Sequence, residues 1–179
     1  MGYPLVGESE IREAFRRLAV RLARRHVVGD VCVYGGAAMI LAFQARRATR
    51  DVDAIFAPHG IVLEEARGVA VELGLGRGWL NDAVSVYVSR VTDTDQPHVF
   101  DHPNLRVRSA SARHLLAMKA HAARAFAPDE QDLVTLIRRL GLTSAAQVEQ
   151  ICLEVFPDEP LSDHSRLVVA DAVAAAVST

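Results

Sequence analysis

The chain has 179 residues, 50% of them hydrophobic, and a formal net charge of −2: enough apolar material for one real core, or a small catalytic unit with a helical appendage. No apolar run approaches the roughly 18 residues that a membrane span needs, and Arg12, Arg16, Arg17 and Arg21 break up the early apolar positions where a signal segment would lie. Cys32 and Cys152 are far apart and set among apolar neighbours, which suits buried free thiols in a reducing cytoplasm and no metal-ligand spacing; we expect a cytoplasmic protein with no membrane partner.

Residues 9–26 read as an amphipathic helix capped by Ser9, with Ile11, Phe15, Leu18 and Leu22 on the apolar stripe and arginines opposite. Residues 30–34 form a short apolar run that stops at Gly35-Gly36, a buried strand and a turn. A short helix is expected over 37–44, a basic connector over 46–50, and an alternating strand over 51–57. After Pro58 the next helix covers 61–73, and Gly74, Gly76 and Gly78 make a loop. Residues 79–89 fit a helix or a strand equally, 92–97 a polar turn, and 105–107 a strand. From Ser111 onward the pattern is helical, over 111–126, 128–140, 144–156 and 162–177, with Ser111 and Ser144 as caps and Gly141 and Pro157 as stops. The expected fold is α/β: a small mixed sheet over 1–110 with a C-terminal helical bundle over 111–179, the two forming a single compact unit.

The richest segment runs from Val33 to Phe56. A strand ends in two glycines, a helix follows, and the next strand opens Asp51-Val-Asp53. Residues i and i+2 of a strand project to one face, so Asp51 and Asp53 point together, while Val52, Ala54 and Phe56 face apolar packing. Like charges crowded on one face repel unless a cation bridges them, and a hard, oxygen-preferring ion such as Mg2+ meets that need. Gly35 and Gly36 lack a Cβ, so their amides can approach a phosphate at the head of the following helix. Phosphates held at one strand end and metal-binding carboxylates at the next suit attack on a nucleotide α-phosphate.

One residue stands apart by composition. Of 20 basic side chains 19 are arginine, and the single lysine is Lys119. A compact ammonium suits a triphosphate or a metal-bound anion where a planar guanidinium does not. Leu115, Leu116, Ala122 and Ala123 are its helical neighbours, so its charge lies on an apolar face and needs a partner or a ligand. Other patterns are weaker. Asp93-Thr-Asp95 runs into Gln96-Pro97 and reads as a solvated turn. Gly74-x-Gly76-x-Gly78 follows a helix, which argues against a dinucleotide fingerprint. His98 with His102, and His114 with His121, lack a third ligand at a recognisable spacing.

Gly35-Gly36 and Arg47-x-Thr-Arg-Asp-Val-Asp53, in that order, resemble the core motif of the nucleotidyltransferase superfamily, most closely its AbiE-type toxin branch. The resemblance extends to Trp79-Leu-Asn-Asp82, to His114-Leu-Leu-Ala-Met-Lys119 with Ala123-Arg124, and to Asp132-Leu133, and covers most of residues 30–140. One departure is Ala37, where many members carry a serine whose hydroxyl would touch phosphate. The resemblance implies that Asp51 and Asp53 bind Mg2+, as two ions with a nucleoside triphosphate present. It implies that Gly35, Gly36, Arg47, Thr49 and Arg50 bind the nucleotide and that Lys119 faces triphosphate charge. Asp132 becomes a further active-site carboxylate, with Asp82 and Asp101 as alternatives. It also implies the acceptor, the 3′ end of a transfer RNA, and a toxin–antitoxin role with an antitoxin protein acting on or near Thr49.

Charge distribution permits an RNA partner without requiring it. Residues 1–50 hold nine arginines against Glu8, Glu10, Glu13 and Asp30, whereas from Ile151 onward five acids face only Arg166. The competing readings are nucleotide transfer to a small molecule such as an aminoglycoside, and a catalytically dead domain of the same fold that serves as a binding module.

Overall fold

The computed structural model describes residues 5–123 and 130–178. Arg124, Pro128 and Asp129, which fall in the expected helices and in one stretch of the resemblance, lie outside the described residues. The fold is mixed α/β, with a five-stranded mixed sheet and seven α-helices among the described residues. The chain divides into two compact units: 1–86 with 96–110, and 87–95 with 111–179.

The first unit begins with helix α1, Glu8–Arg24, which buries Ile11, Ala14, Phe15, Leu18, Ala19 and Leu22, the stripe that helical periodicity dictates. Its cap differs from the expected Ser9: Gly7 is the cap, and the Glu10 carboxylate accepts the Gly7 N–H at 3.0 Å. The difference is one of register, since Ser9 already lies inside the first turn. Strand β1, Gly29–Val33, leads into α2, Gly35–Leu41, which starts at the two glycines rather than after them and stops short of the expected residue 44, and a connector reaches β2, Val52–Ala57. Helix α3, His59–Leu73, is followed by the two-residue strand β3, Leu80–Asn81, and a 3-10 helix over Ala83–Val86. Residues 79–89 therefore hold both a strand and a helical turn. Strands β4, His98–His102, and β5, Leu105–Ser109, form a hairpin.

Strand order is β3-β2-β1-β5-β4. Central β1 is antiparallel to β2 and parallel to β5; β3 is parallel to β2, and β4 antiparallel to β5. In β2, Val52, Ala54 and Phe56 are buried, while Asp53, Ile55 and Ala57 face the other way. The antiparallel β1–β2 pairing decides where the site lies. Val33 registers with Ala54, and the Tyr34 N–H donates to the Asp53 carbonyl at 2.8 Å, so the glycine turn after β1 comes down beside the start of β2.

The second unit holds α4, Ala112–Ala122; α5, Glu130–Arg139; α6, Ala145–Val155; and α7, Asp163–Val177. Helix α4 packs on the other three, and α7 on α5 and α6. The sequence-predicted caps are in place: Ser111 accepts from the His114 N–H and Ser144 from the Gln147 N–H. Cys32 and Cys152 are both buried, and burial pushes the Cys152 thiol up to about 12. Among the described residues no helix is long and apolar enough to cross a membrane.

Candidate functional site

The site lies in the first unit, where three short pieces of chain meet: the Gly35-Gly36 turn, the connector that ends at Asp51, and β3. Asp53 is the second residue of β2 and Asp51 immediately precedes that strand. Both are partly buried. Burial first, and the neighbouring Asp51 charge second, hold the Asp53 carboxyl above its ordinary value; a hydrogen bond from Asn81 acts the other way. The Asp51 charge is thus close enough to act on Asp53, with burial the larger cause.

Gly35 adopts φ +56°, a left-handed backbone that any side chain would strain. A Cβ on it would also lie 3.2 Å from Asp53 Oδ2. Gly36 is tighter still. A Cβ there would meet Thr49 Oγ1 at 2.6 Å and Thr49 Cβ at 3.1 Å, with Arg46 Nη1 at 3.5 Å. The two glycines thus let the turn settle against Asp53, Thr49 and Arg46 at once. Helix α2 is only seven residues long, so its dipole adds little. Its first amides, those of Gly35, Gly36 and Ala37, have no intrahelical acceptor for geometric reasons.

Thr49 is fixed by the N-terminal segment, since the Val6 N–H donates to the Thr49 carbonyl at 2.8 Å and the Thr49 N–H to the Val6 carbonyl at 2.9 Å. Asn81 registers opposite Asp53 across the β2–β3 pair and donates to Asp51 Oδ2 at 3.4 Å. Arg47 and Arg50 are exposed residues of the same connector.

The structure brings Asp51, Asp53, Gly35, Gly36 and Thr49 together, all within one unit. It adds three residues the motif reading did not assign: Arg46, Val6 and Asn81. Asn81 carried a signal, because it falls in the Trp79–Asp82 stretch of the resemblance. Arg46 had none beyond its place in a basic run. Asp82 and Asp101 are placed differently. Asp82 Oδ2 lies 2.8 Å from His59 Nε2, and this hydrogen bond holds its carboxyl below the usual range. Asp101 registers with Arg106, which registers with Asp30 near the start of β1, whereas the glycine turn follows the end of β1.

Lys119 and Asp132 belong to the second unit, and they find each other: Lys119 Nζ lies 2.5 Å from Asp132 Oδ2. Asp132 is 2% exposed and the lysine side chain 17%. The partner that a charge on an apolar helix face requires is therefore a carboxylate of the next helix. Asp93 corrects another expectation. Far from a solvated turn, its side chain is 8% exposed, accepts the Ser111 N–H at 2.8 Å, and lies 3.4 Å from His114 Nδ1. The carboxylate serves the unpaired amides at the head of α4, where negative charge is favoured. His121 packs edge-on against Phe156 with ring centroids 4.9 Å apart, and His102 Nδ1 accepts the Asn104 N–H at 3.1 Å. Comparison of the chain with protein-family models, curated proteins and solved structures returns no match.

Proposed function

We propose that the chain is a metal-dependent nucleotidyltransferase of the kind its motifs resemble, moving a nucleotide from a nucleoside triphosphate onto RNA and releasing pyrophosphate. The observation that carries this reading is the approach of the glycine turn to the paired carboxylates, with a Gly35 Cβ position 3.2 Å from Asp53 Oδ2. An anion-accepting turn beside two crowded aspartates is self-defeating unless a cation and a polyanion occupy it together. The donor set fits Mg2+, which is commonly held by one or two carboxylates and completes its shell with water and substrate phosphate oxygens. Bound by Asp51 and Asp53, that ion would offset their repulsion and polarise the α-phosphate.

The chain's own groups do the rest. The amides of Gly35, Gly36 and Ala37 seat phosphate oxygens, with the Arg46 guanidinium beside Gly36 to balance their charge. Thr49, held by Val6, packs the connector against the two glycines. An acceptor hydroxyl then attacks the α-phosphate in line, and pyrophosphate departs from the glycine side. By the same resemblance the acceptor is the 3′ end of a transfer RNA, Lys119 would face triphosphate charge, Asp132 would be a further carboxylate, and an antitoxin would act at Thr49. On this proposal the sheet is of nucleotidyltransferase type, the C-terminal helices form a bundle, and the protein works in the cytoplasm.

The test is incubation with each α-labelled nucleoside triphosphate, Mg2+ and either total RNA or an aminoglycoside panel. Label transferred to small RNA supports the reading. Label on an aminoglycoside moves the protein to the small-molecule class. Triphosphate binding without any transfer identifies a binding module.

A further inference from the structure

Asn81 has an orientation that the surrounding backbone dictates. A carboxamide has one accepting end and one donating end. Its Oδ1 accepts the Ala83 N–H at 3.0 Å, which turns Nδ2 towards β2. There it donates to Asp51 Oδ2 at 3.4 Å, and its donor end holds the Asp53 carboxyl lower than burial alone would. The residue is anchored too. Asn81 registers opposite Asp53, the Val52 N–H donates to the Trp79 carbonyl at 2.6 Å, and the Trp79 indole donates to the Ala66 carbonyl at 2.8 Å. A strand of two residues is thereby tied alongside the start of β2, where both carboxylates lie.

We propose that Asn81 is a positioning residue, whose carboxamide holds Asp51 and Asp53 side by side in the arrangement a divalent cation requires. This deepens the nucleotidyltransferase reading and rests on it. Two like charges on short side chains rotate apart when nothing restrains them, and a cation must then reorder both. A neutral donor shared by the pair restrains them without neutralising them. Lysine or arginine at position 81 would occupy the cation's place, and aspartate would add a third repelling charge. Hydrogen-bonded neighbours of ligating carboxylates act in this way, and their loss weakens metal binding by roughly 10- to 100-fold.

The experiment titrates the full chain with Mn2+ alone, reading free Mn2+ by electron paramagnetic resonance well below every variant's unfolding midpoint. Asn81→Ser offers a hydroxyl oxygen to the Ala83 amide, keeping the turn, but cannot reach β2. Asn81→Ala removes both interactions. The expected result is a Mn2+ dissociation constant raised about tenfold or more in both variants, with the thermal midpoint of Asn81→Ser held at the wild-type value. In the transfer assay, the Mg2+ concentration for half-maximal rate should rise in parallel, with the nucleotide KM at saturating Mg2+ unchanged. Wild-type Mn2+ affinity in both Asn81 variants overturns the proposal. Asp51→Ala and Asp53→Ala are measured alongside: if they bind Mn2+ as the wild type does, or if the wild type binds none, the metal-site reading fails and the Asn81 proposal with it.

Discussion

Asp53 is held in an unfavourable place. Burial and the Asp51 charge both raise its carboxyl, so in the absence of metal its ionised form opposes folding. The sign follows from linkage. An acid whose folded value exceeds its unfolded value binds protons more readily when folded, so stability falls as pH rises from the unfolded value, 3.8, through the higher folded one. Asp53→Asn removes that penalty. With a chelator present at neutral pH, the variant should melt at a higher temperature than the wild type, and the gap should shrink as the pH drops below 4. A variant that melts lower at neutral pH would show that the carboxylate is satisfied by groups other than Asn81. Much of this site was legible in the sequence because it is local. Two glycines, a short helix and Asp-x-Asp fix who is near whom by spacing and strand periodicity alone. Asn81 and Arg46 were not legible in the same way, because their roles depend on register between segments distant along the chain.

Among the elements, the helices followed their apolar stripes, α1 with Gly7 rather than Ser9 as its cap, and the strands divided by burial. Ser111 and Ser144 start α4 and α6 as hydroxyl chemistry predicts. Strand β4 escaped notice because none of its five residues is fully buried. An edge strand paired on one side needs no apolar face, so His98-Val-Phe-Asp-His102 carries no alternation to read. Charged residues misled for a related reason. Sequence shows a charge but not its partner, and Lys119 with Asp132 on α5 is such a case. Removing one member of a buried pair strands the other, at about 3–5 kcal/mol for full burial and less here because the lysine is part-exposed. Lys119→Met should therefore destabilise the chain by roughly 2–4 kcal/mol in urea unfolding, and adding Asp132→Leu should recover most of the loss. A neutral Lys119→Met substitution would contradict the pair's role as a tie between α4 and α5. Lys119→Arg, assayed for transfer and stability together, separates that role from the triphosphate contact the resemblance implies: a slow variant of unchanged stability supports the contact.

For the whole molecule, the basic front half is less available to a polyanion than its composition implied. Arg12 pairs with Glu8, Arg16 and Arg17 with Glu13, and Arg21 and Arg25 with Glu65 of α3. Those cations are engaged on α1 and α3, so a phosphate-bearing acceptor would meet chiefly exposed Arg24 and the connector that carries Arg47 and Arg50. That connector adjoins the Gly35-Gly36 turn, which is where an RNA end would have to arrive for transfer. The proposed role of Asp51 and Asp53 as a metal-dependent transfer site is tested by incorporation of α-labelled nucleotide into RNA, across a Mg2+ titration, for the wild type, Asp51→Ala and Asp53→Ala, with folding of each checked by thermal melting. Expected are Mg2+-dependent incorporation by the wild type and a loss of at least about a hundredfold in either folded variant; folded variants that transfer nucleotide at the wild-type rate would overturn that role.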